Sequence, residues 1–304
     1  MISTFAPILL FVFARPDHTR HTLKALAANA LADHSDLIVY ADAARDESEA
    51  LKVRAVRDLV NAASGFRSVT VNERETNYGL ARNIIEGVTE ICNRYGRVIV
   101  LEDDMVTSPH FLAYMNEALE RFEDDDRVAS IHGYVYPVEQ LLPEAFFLPG
   151  ADCWGWSTWR RAWSHFNPDG QYLLDELKRR KLLNAFDFNG AYPYSKMLEG
   201  QIKGANDSWA IRWYASAFLA GKLTLYPGRS LVHNIGHDSS GAHCGISNTY
   251  DAELSSTPID LRQVQVAPSA EGWAAFEAFF RRAHGSLATR VLHRVKQIVN
   301  KITA

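Results

Sequence analysis

Short apolar runs alternate with helical patterns through the first half of the chain. The apolar runs have the length of strands and lie at residues 7–13, 37–40, 68–71 and 97–101. Apolar side chains recur at helical spacing in the three segments between them, which are 19–32, 47–63 and 80–95. This alternation predicts an α/β fold, in which helices cover both faces of a mostly parallel central sheet. Ligands of such sheets bind beyond the carboxyl ends of the strands.

The second half is less regular and rich in aromatic residues. It contains a helical pattern at 208–220, a short strand at 222–226 and a segment rich in glycine and histidine at 234–245. A last helical pattern, at 286–304, has one apolar face and one basic face. A helix of this kind packs on its own domain, dimerises or lies on an anionic membrane, and the sequence leaves all three open.

Composition and charge narrow the class of protein. The chain has 304 residues, of which 47% are hydrophobic and 22% charged, and its net charge is −4. This composition predicts a globular protein with a large core, and the acidic balance argues against nucleic acid as a partner. The three cysteines are far apart, which predicts reduced thiols and a cytoplasmic location. The apolar run at 6–14 lacks a basic flank and favours a buried strand over a signal peptide.

Three acidic residues follow the fourth predicted strand directly. They are Glu102, Asp103 and Asp104, and a new helical pattern begins at about His110. Adjacent carboxylates at the end of a strand repel one another unless a positive charge neutralises them. Mg²⁺ and Mn²⁺ prefer carboxylate oxygens and can bridge them to a diphosphate. We therefore predict a divalent metal site at this position.

Several motifs resemble those of glycosyltransferases with the GT-A fold. Glu-Asp-Asp at 102–104 and Ser-Pro-His-Phe at 108–111 resemble the metal motif of the N-acetylglucosaminyltransferase I family and of bacterial family-2-like sugar transferases. Further matches follow the order of the family, at 13–15, 42, 77–83, 153–159 and 234–243. The resemblance covers residues 6–250. It implies a hexosyltransferase that moves a sugar from a nucleotide-sugar to a saccharide or lipid-linked acceptor. The expected donor is a UDP-sugar, with UDP-GlcNAc as one candidate.

The resemblance also implies roles for single residues on the donor side. Asp42 would accept a hydrogen bond from a uracil ring, and Phe13 and Arg15 would line the nucleotide pocket. Glu102 and Asp103 would hold the ribose and the donor sugar.

Further donor-side roles concern the diphosphate. Asn77, Gly79 and Arg82 would border the pyrophosphate and the sugar, and Asp104 would bind Mn²⁺ or Mg²⁺. An ordinary turn before a helix would equally explain the glycine at 79.

Transfer of the sugar needs a base that takes the proton of the acceptor hydroxyl. We predict Asp207 for this role, because it precedes a helix in an Asp-x-Trp setting similar to that of the family. The alternative is a plain N-cap, which Asn206, Asp207 or Ser208 could each provide. A carboxylate base suits direct displacement, with inversion at the sugar carbon.

The segment at 234–245 predicts a mobile lid over the substrate. His243 matches the loop position that is nearest the metal in the family, and His237 is the second choice for a metal ligand. A solvated loop histidine is the alternative in both cases.

Tryptophans concentrate at 153–163. We predict that Trp154, Gly155 and Trp156 contact the acceptor, because sugars stack on exposed aromatic rings, whereas Trp159 and Trp163 pack in the core. Core packing of the whole cluster is the alternative.

The resemblance also divides the chain. Residues 1–265 form the predicted catalytic domain, with a donor half at about 1–107 and an acceptor half at about 108–265, and residues 266–304 form a helical tail. If the tail binds lipid, the protein would be peripheral at the inner membrane face.

Two rival functions fit a nucleotide pocket beside an acidic metal site. A nucleotidyltransferase would carry a glycine-rich, basic loop after the first strand, and Phe-Ala-Arg-Pro at 13–16 is not such a loop. A binding protein for carbohydrates or nucleotides without catalysis would not need all of Glu102, Asp103, Asp104 and Asp207.

Overall fold

A computed structural model describes residues 5–238 and 248–284 of the chain. Its strands are β1 (Ile8–Val12), β2 (Asp36–Ala41), β3 (Ser68–Glu73), β4 (Arg97–Glu102), β5 (Met105–Thr107), β6 (Val128–His132), β7 (Ala145–Pro149), β8 (Trp156–Trp159), β9 (Leu223–Pro227) and β10 (Val232–Asn234). Its helices are α1 (Pro16–Ala27), α2 (Glu47–Asn61), α3 (Leu80–Tyr95), α4 (Phe111–Arg121), α5 (Arg160–Trp163), α6 (Gly170–Arg179), α7 (Leu183–Phe186), α8 (Tyr194–Ile202), α9 (Trp209–Leu219) and α10 (Ala270–His284).

Eight strands form one central sheet in the order β3-β2-β1-β4-β8-β6-β9-β7. Strands β1 to β4 pair in parallel, and β6 pairs in parallel with β9. Only β8 and β7 run against their neighbours in this sheet. The predicted α/β fold with a mostly parallel central sheet is therefore confirmed. The strand order reverses around β1, and such a switch point is where open α/β sheets bind ligands.

The four parallel strands were all predicted from apolar runs, and in three of them most residues are buried, whereas β3, at the edge of the sheet, is half-buried to exposed. Every residue of β1 is buried, and so are residues 37–41 of β2 and 98–101 of β4. Between these strands, α3 follows Gly79 and ends before Gly96, which adopts the left-handed conformation. Glycine is the residue that most readily ends a helix in this way.

One hydrophobic core runs through both halves of the chain and includes the first part of the predicted tail. Phe276 and Phe280 of α10 are buried against Tyr136, and Trp273 stacks on Phe188 with ring centres 4.1 Å apart. The tail is therefore packed on the domain as far as residue 284. The amphipathic pattern at 286–304 lies outside the described residues.

No helix among the described residues is both long enough and apolar enough to span a membrane.

Candidate donor and acceptor sites

The ends of adjacent parallel strands bring the predicted donor-side residues to one edge of the sheet. The register places Phe11 of β1 beside Glu102 of β4, and Val12 beside Ala41 of β2. The chain then leaves β1 towards Arg15, β2 towards Asp42 and β4 towards the acidic residues. Sequence separation is large, but the parallel pairing makes these segments neighbours.

The positive charge that neutralises the acidic residues in this structure is Arg15. Its guanidinium Nη2 donates to Asp103 Oδ1 and also to Asp104 Oδ2, the second at 2.9 Å. Asp103 and Asp104 are both buried, with Asp104 8% exposed. The second oxygen of Asp104, Oδ1, is buried and has no hydrogen-bond partner. A buried carboxylate oxygen without a partner is costly, and it marks the point where a ligand would be stabilised.

The protonation of this cluster follows from its burial. Burial raises the pKa of Glu102 to about 8, and the charges of Asp104 and Asp103 add to this rise. Burial also raises the pKa of Asp103, although Arg15 opposes the rise. For Arg15, burial alone would lower the pKa, but the two carboxylates outweigh it and the net direction is upward. Close to neutral pH the cluster therefore holds a charged Arg15 and a Glu102 that is easily protonated.

The end of β10 packs directly on this cluster. Strand β10 pairs with β5, and the Ile235 N–H donates to the Asp104 carbonyl at 2.9 Å. A Cβ atom at Gly236 would lie 2.2 Å from Asp104 Oδ2 and 3.1 Å from Arg15 Nη1. Only glycine allows the backbone to pass so close to the ion pair. The beginning of the predicted lid is thus part of the site.

His237 extends this segment towards the aromatic residues. Its ring stacks on Tyr250 and meets Trp154 edge to face, each with ring centres 5.3 Å apart. Its Nε2 is buried without a hydrogen-bond partner. The neighbouring Asp238 lies 3.2 Å from His18 Nε2. His243, the first choice for a metal ligand, lies outside the described residues.

The acidic cluster offers one oxygen donor of the kind that divalent metals prefer. Within residues 5–238 and 248–284, no three His, Cys, Asp or Glu side chains are arranged to hold a metal ion. The unpartnered Asp104 Oδ1 is nevertheless a hard oxygen donor, which Mg²⁺ and Mn²⁺ prefer. Mg²⁺ is commonly held by one or two carboxylates together with substrate phosphates. Asp104 is therefore the protein group that would hold the metal.

The carboxylate of Asp42 is engaged with its own chain. Four groups donate to it, which are the N–H groups of Ala43, Tyr78 and Gly79 and the side-chain amide of Asn77, at 2.9–3.1 Å. An ionised carboxylate accepts about four hydrogen bonds, so its capacity is filled. A contact with a uracil ring, as predicted for Asp42, would require one of these bonds to break. In this structure Asp42 fastens the loop at 77–79 to the end of β2.

The other predicted donor-side residues lie around this loop. The Asn77 amide also donates to the Ala43 carbonyl at 2.7 Å. Gly79 has a φ of 73° and precedes α3, a conformation that glycine adopts without strain. Arg82 stacks on Tyr78, with its guanidinium carbon 3.8 Å from the ring centre, and pairs with Glu86.

Phe13 lies at the end of β1, on the way to Arg15. It is half-buried, and its ring lies 5.5 Å from the guanidinium carbon of Arg45. This arrangement leaves Phe13 at the edge of the sheet where the nucleotide pocket was predicted.

The tryptophans at 153–163 do not all lie where the sequence predicted them. Trp156 begins β8, is 1% exposed and packs against Trp163, Trp209 and Trp213. Because its ring is enclosed by the core, the prediction that Trp156 contacts the acceptor is wrong. Trp159 is buried together with Trp163, as predicted.

Trp154 precedes β8 and is half-buried. Its ring meets Tyr134, His237 and Tyr250, and its backbone N–H donates to His132 Nε2 at 2.9 Å. Gly155 serves packing, since a Cβ atom there would lie 2.6 Å from a methyl group of Val232. Of the three residues predicted for the acceptor, Trp154 is the one on the side of His237.

The predicted base, Asp207, lies on the surface. Its side chain is 76% exposed and pairs with Arg212 at 3.2 Å. The N-cap of α9 is Ser208, whose hydroxyl accepts from the Ile211 N–H. The N-cap role therefore belongs to Ser208, and the role of catalytic base stays a prediction for Asp207.

A second carboxylate on the acceptor side was missed by sequence reasoning. Asp152 is half-buried and accepts from the Tyr136 hydroxyl at 2.9 Å and from the Cys153 N–H. Burial raises the pKa of the Cys153 thiol, and the charges of Asp152, Glu102 and Asp104 add to the rise. The only signal in the sequence was the position of Asp152 directly before Cys153-Trp154.

Comparisons with known proteins are distant. No family profile matches the sequence, and no curated protein matches it. A mannosyltransferase from Pyrobaculum calidifontis, solved with GDP-Man and Mn²⁺, aligns at 16% identity and a TM-score of 0.30, and the alignment covers 44% of this chain and 37% of that structure. A mannose-1-phosphate geranyltransferase from Thermus thermophilus aligns at 14% identity, a TM-score of 0.36 and 76% of both chains. TarS from S. aureus aligns at 11% identity and a TM-score of 0.38, over 75% of this chain and 60% of TarS. Similarity at this level does not assign a function.

Proposed function

We propose that this chain is a metal-dependent, inverting glycosyltransferase that uses a nucleotide-sugar donor, with a UDP-sugar, and UDP-GlcNAc among them, as the first candidate. The observation that carries the proposal is the buried carboxylate of Asp104, which keeps one oxygen without a partner beside Arg15 at the switch point of a parallel sheet. A metal–diphosphate unit would place a cation at the free oxygen of Asp104 and phosphate oxygens beside Arg15.

On the donor side, Arg15 and Asp104 would bind different parts of the metal–nucleotide complex. Arg15 would hold the diphosphate, since a guanidinium binds phosphate oxygens in pairs. Asp104 would hold the metal, which offsets the charge that builds up on the departing diphosphate. Phe13 would border the nucleoside, with Asp42 keeping the loop that carries Asn77 and Gly79 in place.

The acceptor side would lie beyond His237. Trp154 and Tyr250 offer aromatic surface of the kind on which saccharides stack, and a saccharide or a lipid-linked saccharide is the proposed acceptor. Asp207 is the base that the sequence favours. Asp152 is the alternative, because it lies next to Trp154 and has no Lys or Arg partner among the described residues.

The two candidate bases can be separated by amide variants. If Asp152 takes the proton, Asp152→Asn should lower kcat for transfer about 10²-fold or more, whereas Asp207→Asn should change it little. The reverse ranking would assign the base to Asp207. Binding of the donor nucleotide, followed by thermal shift, should stay unchanged in both variants.

Location also belongs to the proposal. A cytoplasmic protein fits the sparse cysteines, of which the two in the described part of the chain, Cys92 and Cys153, are free thiols. Contact with a membrane through 286–304 stays a prediction. Vesicle sedimentation with and without residues 286–304 tests it, and equal sedimentation of the two proteins would rule out the tail as a lipid anchor.

The first test of the function is a thermal-shift screen of UDP, GDP, dTDP and CMP, each with Mn²⁺ or with EDTA. A ligand present at about a hundred times its Kd should add about 2.7 kcal/mol of stability. We expect one nucleoside diphosphate to stabilise the wild type only with Mn²⁺, and Asp104→Ala to abolish the effect. If no nucleotide shifts the melting temperature, the transferase proposal fails.

The products of slow donor turnover distinguish the rival functions. A glycosyltransferase hydrolyses its donor to a free sugar and a nucleoside diphosphate. A nucleotidyltransferase would instead cleave within the diphosphate and release a sugar phosphate, and a pure binding protein would release nothing. Chromatography of the products after prolonged incubation with Mn²⁺ separates the three outcomes.

A further inference from the structure

We propose that Arg15 holds the acidic pair closed to a metal ion until a nucleoside diphosphate draws its guanidinium away, so that metal and nucleotide bind cooperatively. The inference rests on the proposed function, because it concerns the same donor site. Its starting point is the bonding of one nitrogen, Arg15 Nη2, to two carboxylates at once.

The backbone of Arg15 is fixed, but its side chain can move. Arg15 is the residue before α1, and its carbonyl accepts from both the N–H and the hydroxyl of Thr19. The side chain is 19% exposed, so part of it is reached by solvent. A Cβ atom at position 236 would lie 3.1 Å from Nη1, so the glycine there keeps the neighbouring backbone from crowding the guanidinium further. In the proposal, a change of the Arg15 rotamer towards solvent releases the carboxylates.

The ion pair competes with a metal for the same oxygens. Arg15 occupies Asp103 Oδ1 and Asp104 Oδ2, which leaves Asp104 Oδ1 as the free donor. A divalent ion placed there would lie within a few ångströms of the guanidinium charge and would be repelled by it. One free oxygen beside a fixed positive charge predicts weak binding of a metal by itself.

A diphosphate is the ligand that removes this conflict. The guanidinium fork matches two phosphate oxygens, whereas here a single Arg15 nitrogen is shared between two carboxylates. Once Arg15 turns to the phosphate, Asp104 offers both of its oxygens, and the phosphate offers more. Because linkage is reciprocal, the metal must raise the affinity for the nucleotide by the same factor as the nucleotide raises the affinity for the metal.

The deciding experiment measures Mn²⁺ binding without any nucleotide. Free Mn²⁺ is titrated by electron paramagnetic resonance in the wild type and in Arg15→Gln, alone and with the nucleoside diphosphate chosen by the thermal-shift screen. In the wild type we expect the nucleotide to tighten Mn²⁺ binding about tenfold or more. In Arg15→Gln we expect Mn²⁺ alone to bind about tenfold more tightly than in the wild type, and the nucleotide to add little.

Controls separate this result from a change in folding. Arg262→Gln removes an arginine from an exposed ion pair with Asp260 and should bind Mn²⁺ as the wild type does. If Arg15→Gln melts at a lower temperature, Mn²⁺ should raise its melting temperature more than that of the wild type. Arg15→Lys, which keeps the charge but not the guanidinium fork, should bind Mn²⁺ alone as weakly as the wild type does. The double variant Arg15→Gln/Asp104→Asn should lose the gain in Mn²⁺ affinity.

Each outcome is decisive. Equal or weaker Mn²⁺ binding by Arg15→Gln alone overturns the inference and leaves Arg15 as a structural counter-ion, while the proposed function stands if nucleotide still binds with metal. Tight Mn²⁺ binding by the wild type without nucleotide overturns it as well. If neither protein binds Mn²⁺ even with nucleotide, the donor site itself is refuted.

Discussion

Two buried carboxylates at the same edge of the sheet have opposite surroundings. Asp42 receives four hydrogen bonds from the loop at 77–79 and from Ala43, which fill its acceptor capacity. Asp104 shares one guanidinium with Asp103 and keeps an oxygen without any partner. The first carboxylate is satisfied by the chain, and the second is not. The difference indicates that Asp42 maintains the local fold, whereas the free oxygen of Asp104 is the one we propose for a metal.

The largest expected effect tests the satisfied carboxylate. Asp42→Ala should lower the free energy of unfolding by about 3 kcal/mol or more, because it leaves the buried N–H of Ala43 and the half-buried N–H groups of Tyr78 and Gly79 without acceptors. Urea denaturation measures the loss. Asp126→Ala removes a carboxylate from an exposed ion pair with Lys222 and should stay close to the wild type. If Asp42→Ala is as stable as Asp126→Ala, Asp42 does not fasten the loop and its role as a nucleotide ligand regains support.

The unsatisfied carboxylate should behave in the opposite way. Asp104→Asn should unfold within about 1 kcal/mol of the wild type, since Arg15 keeps Asp103 as a partner. It should nevertheless lose the stabilisation of about 2.7 kcal/mol that metal and nucleotide give the wild type at a hundred times the Kd. Thermal shift measures both quantities on the same samples. A large loss of intrinsic stability would place Asp104 in the same class as Asp42.

His132 is a third buried polar group, and its effect on stability should depend on pH. Burial lowers the pKa of His132 to about 4, so the folded protein keeps this ring neutral while the unfolded chain titrates near 6.5. The unfolded state therefore binds the proton first as the pH falls, and stability is lost between about pH 6.5 and 4. Between pH 7.5 and 5.0 the wild type should lose about 2 kcal/mol more than His132→Gln. Equal losses in urea denaturation would contradict the lowered pKa.

The smallest effect concerns the backbone that passes over the ion pair. Gly236→Ala would bring a Cβ atom to 2.2 Å from Asp104 Oδ2 if nothing moved. We expect metal-dependent nucleotide binding to weaken about tenfold, or about 1.4 kcal/mol, with little loss of stability. Gly96→Ala is the matched control, because position 96 has open space but a positive φ, so it should cost stability and leave binding intact. Unchanged binding in Gly236→Ala would show that Gly236 does not shape the site.

The sequence predicted the bounds of some helices and strands well and missed others. The bounds of α3 were predicted as observed, since Gly79 and Gly96 flank a clear apolar periodicity. Helix α1 begins at Pro16, earlier than predicted, because the apolar spacing does not register a proline in the first turn. Strands β6, β7 and β8 were not predicted, since they are four or five residues long and lack a distinct apolar period.

The sequence predicted which residues form the acidic cluster, but it did not predict the residues that they contact. The acidic residues at the end of β4 follow from one strand and its sequence. The pairing of Arg15 with Asp103 and of Asp42 with residues 77–79 depends on contacts between separate segments, and a single sequence does not contain them. Trp156 was misassigned for a similar reason, because only the packing of α5 and α9 shows that its ring is enclosed.

The short pairing of β5 with β10 has a consequence for the order in which the molecule is built. Residues 105–107 follow the acidic cluster directly, but their partners at 232–234 are synthesised much later. Contacts between distant segments form slowly, because a long loop must close first. The parallel strands β1 to β4 can therefore pair while the chain is still being translated, whereas the wall formed by Ile235 and Gly236 is synthesised later than the acidic cluster. During that interval β5 lacks its partner strand, and the backbone that donates to the Asp104 carbonyl is not yet in place.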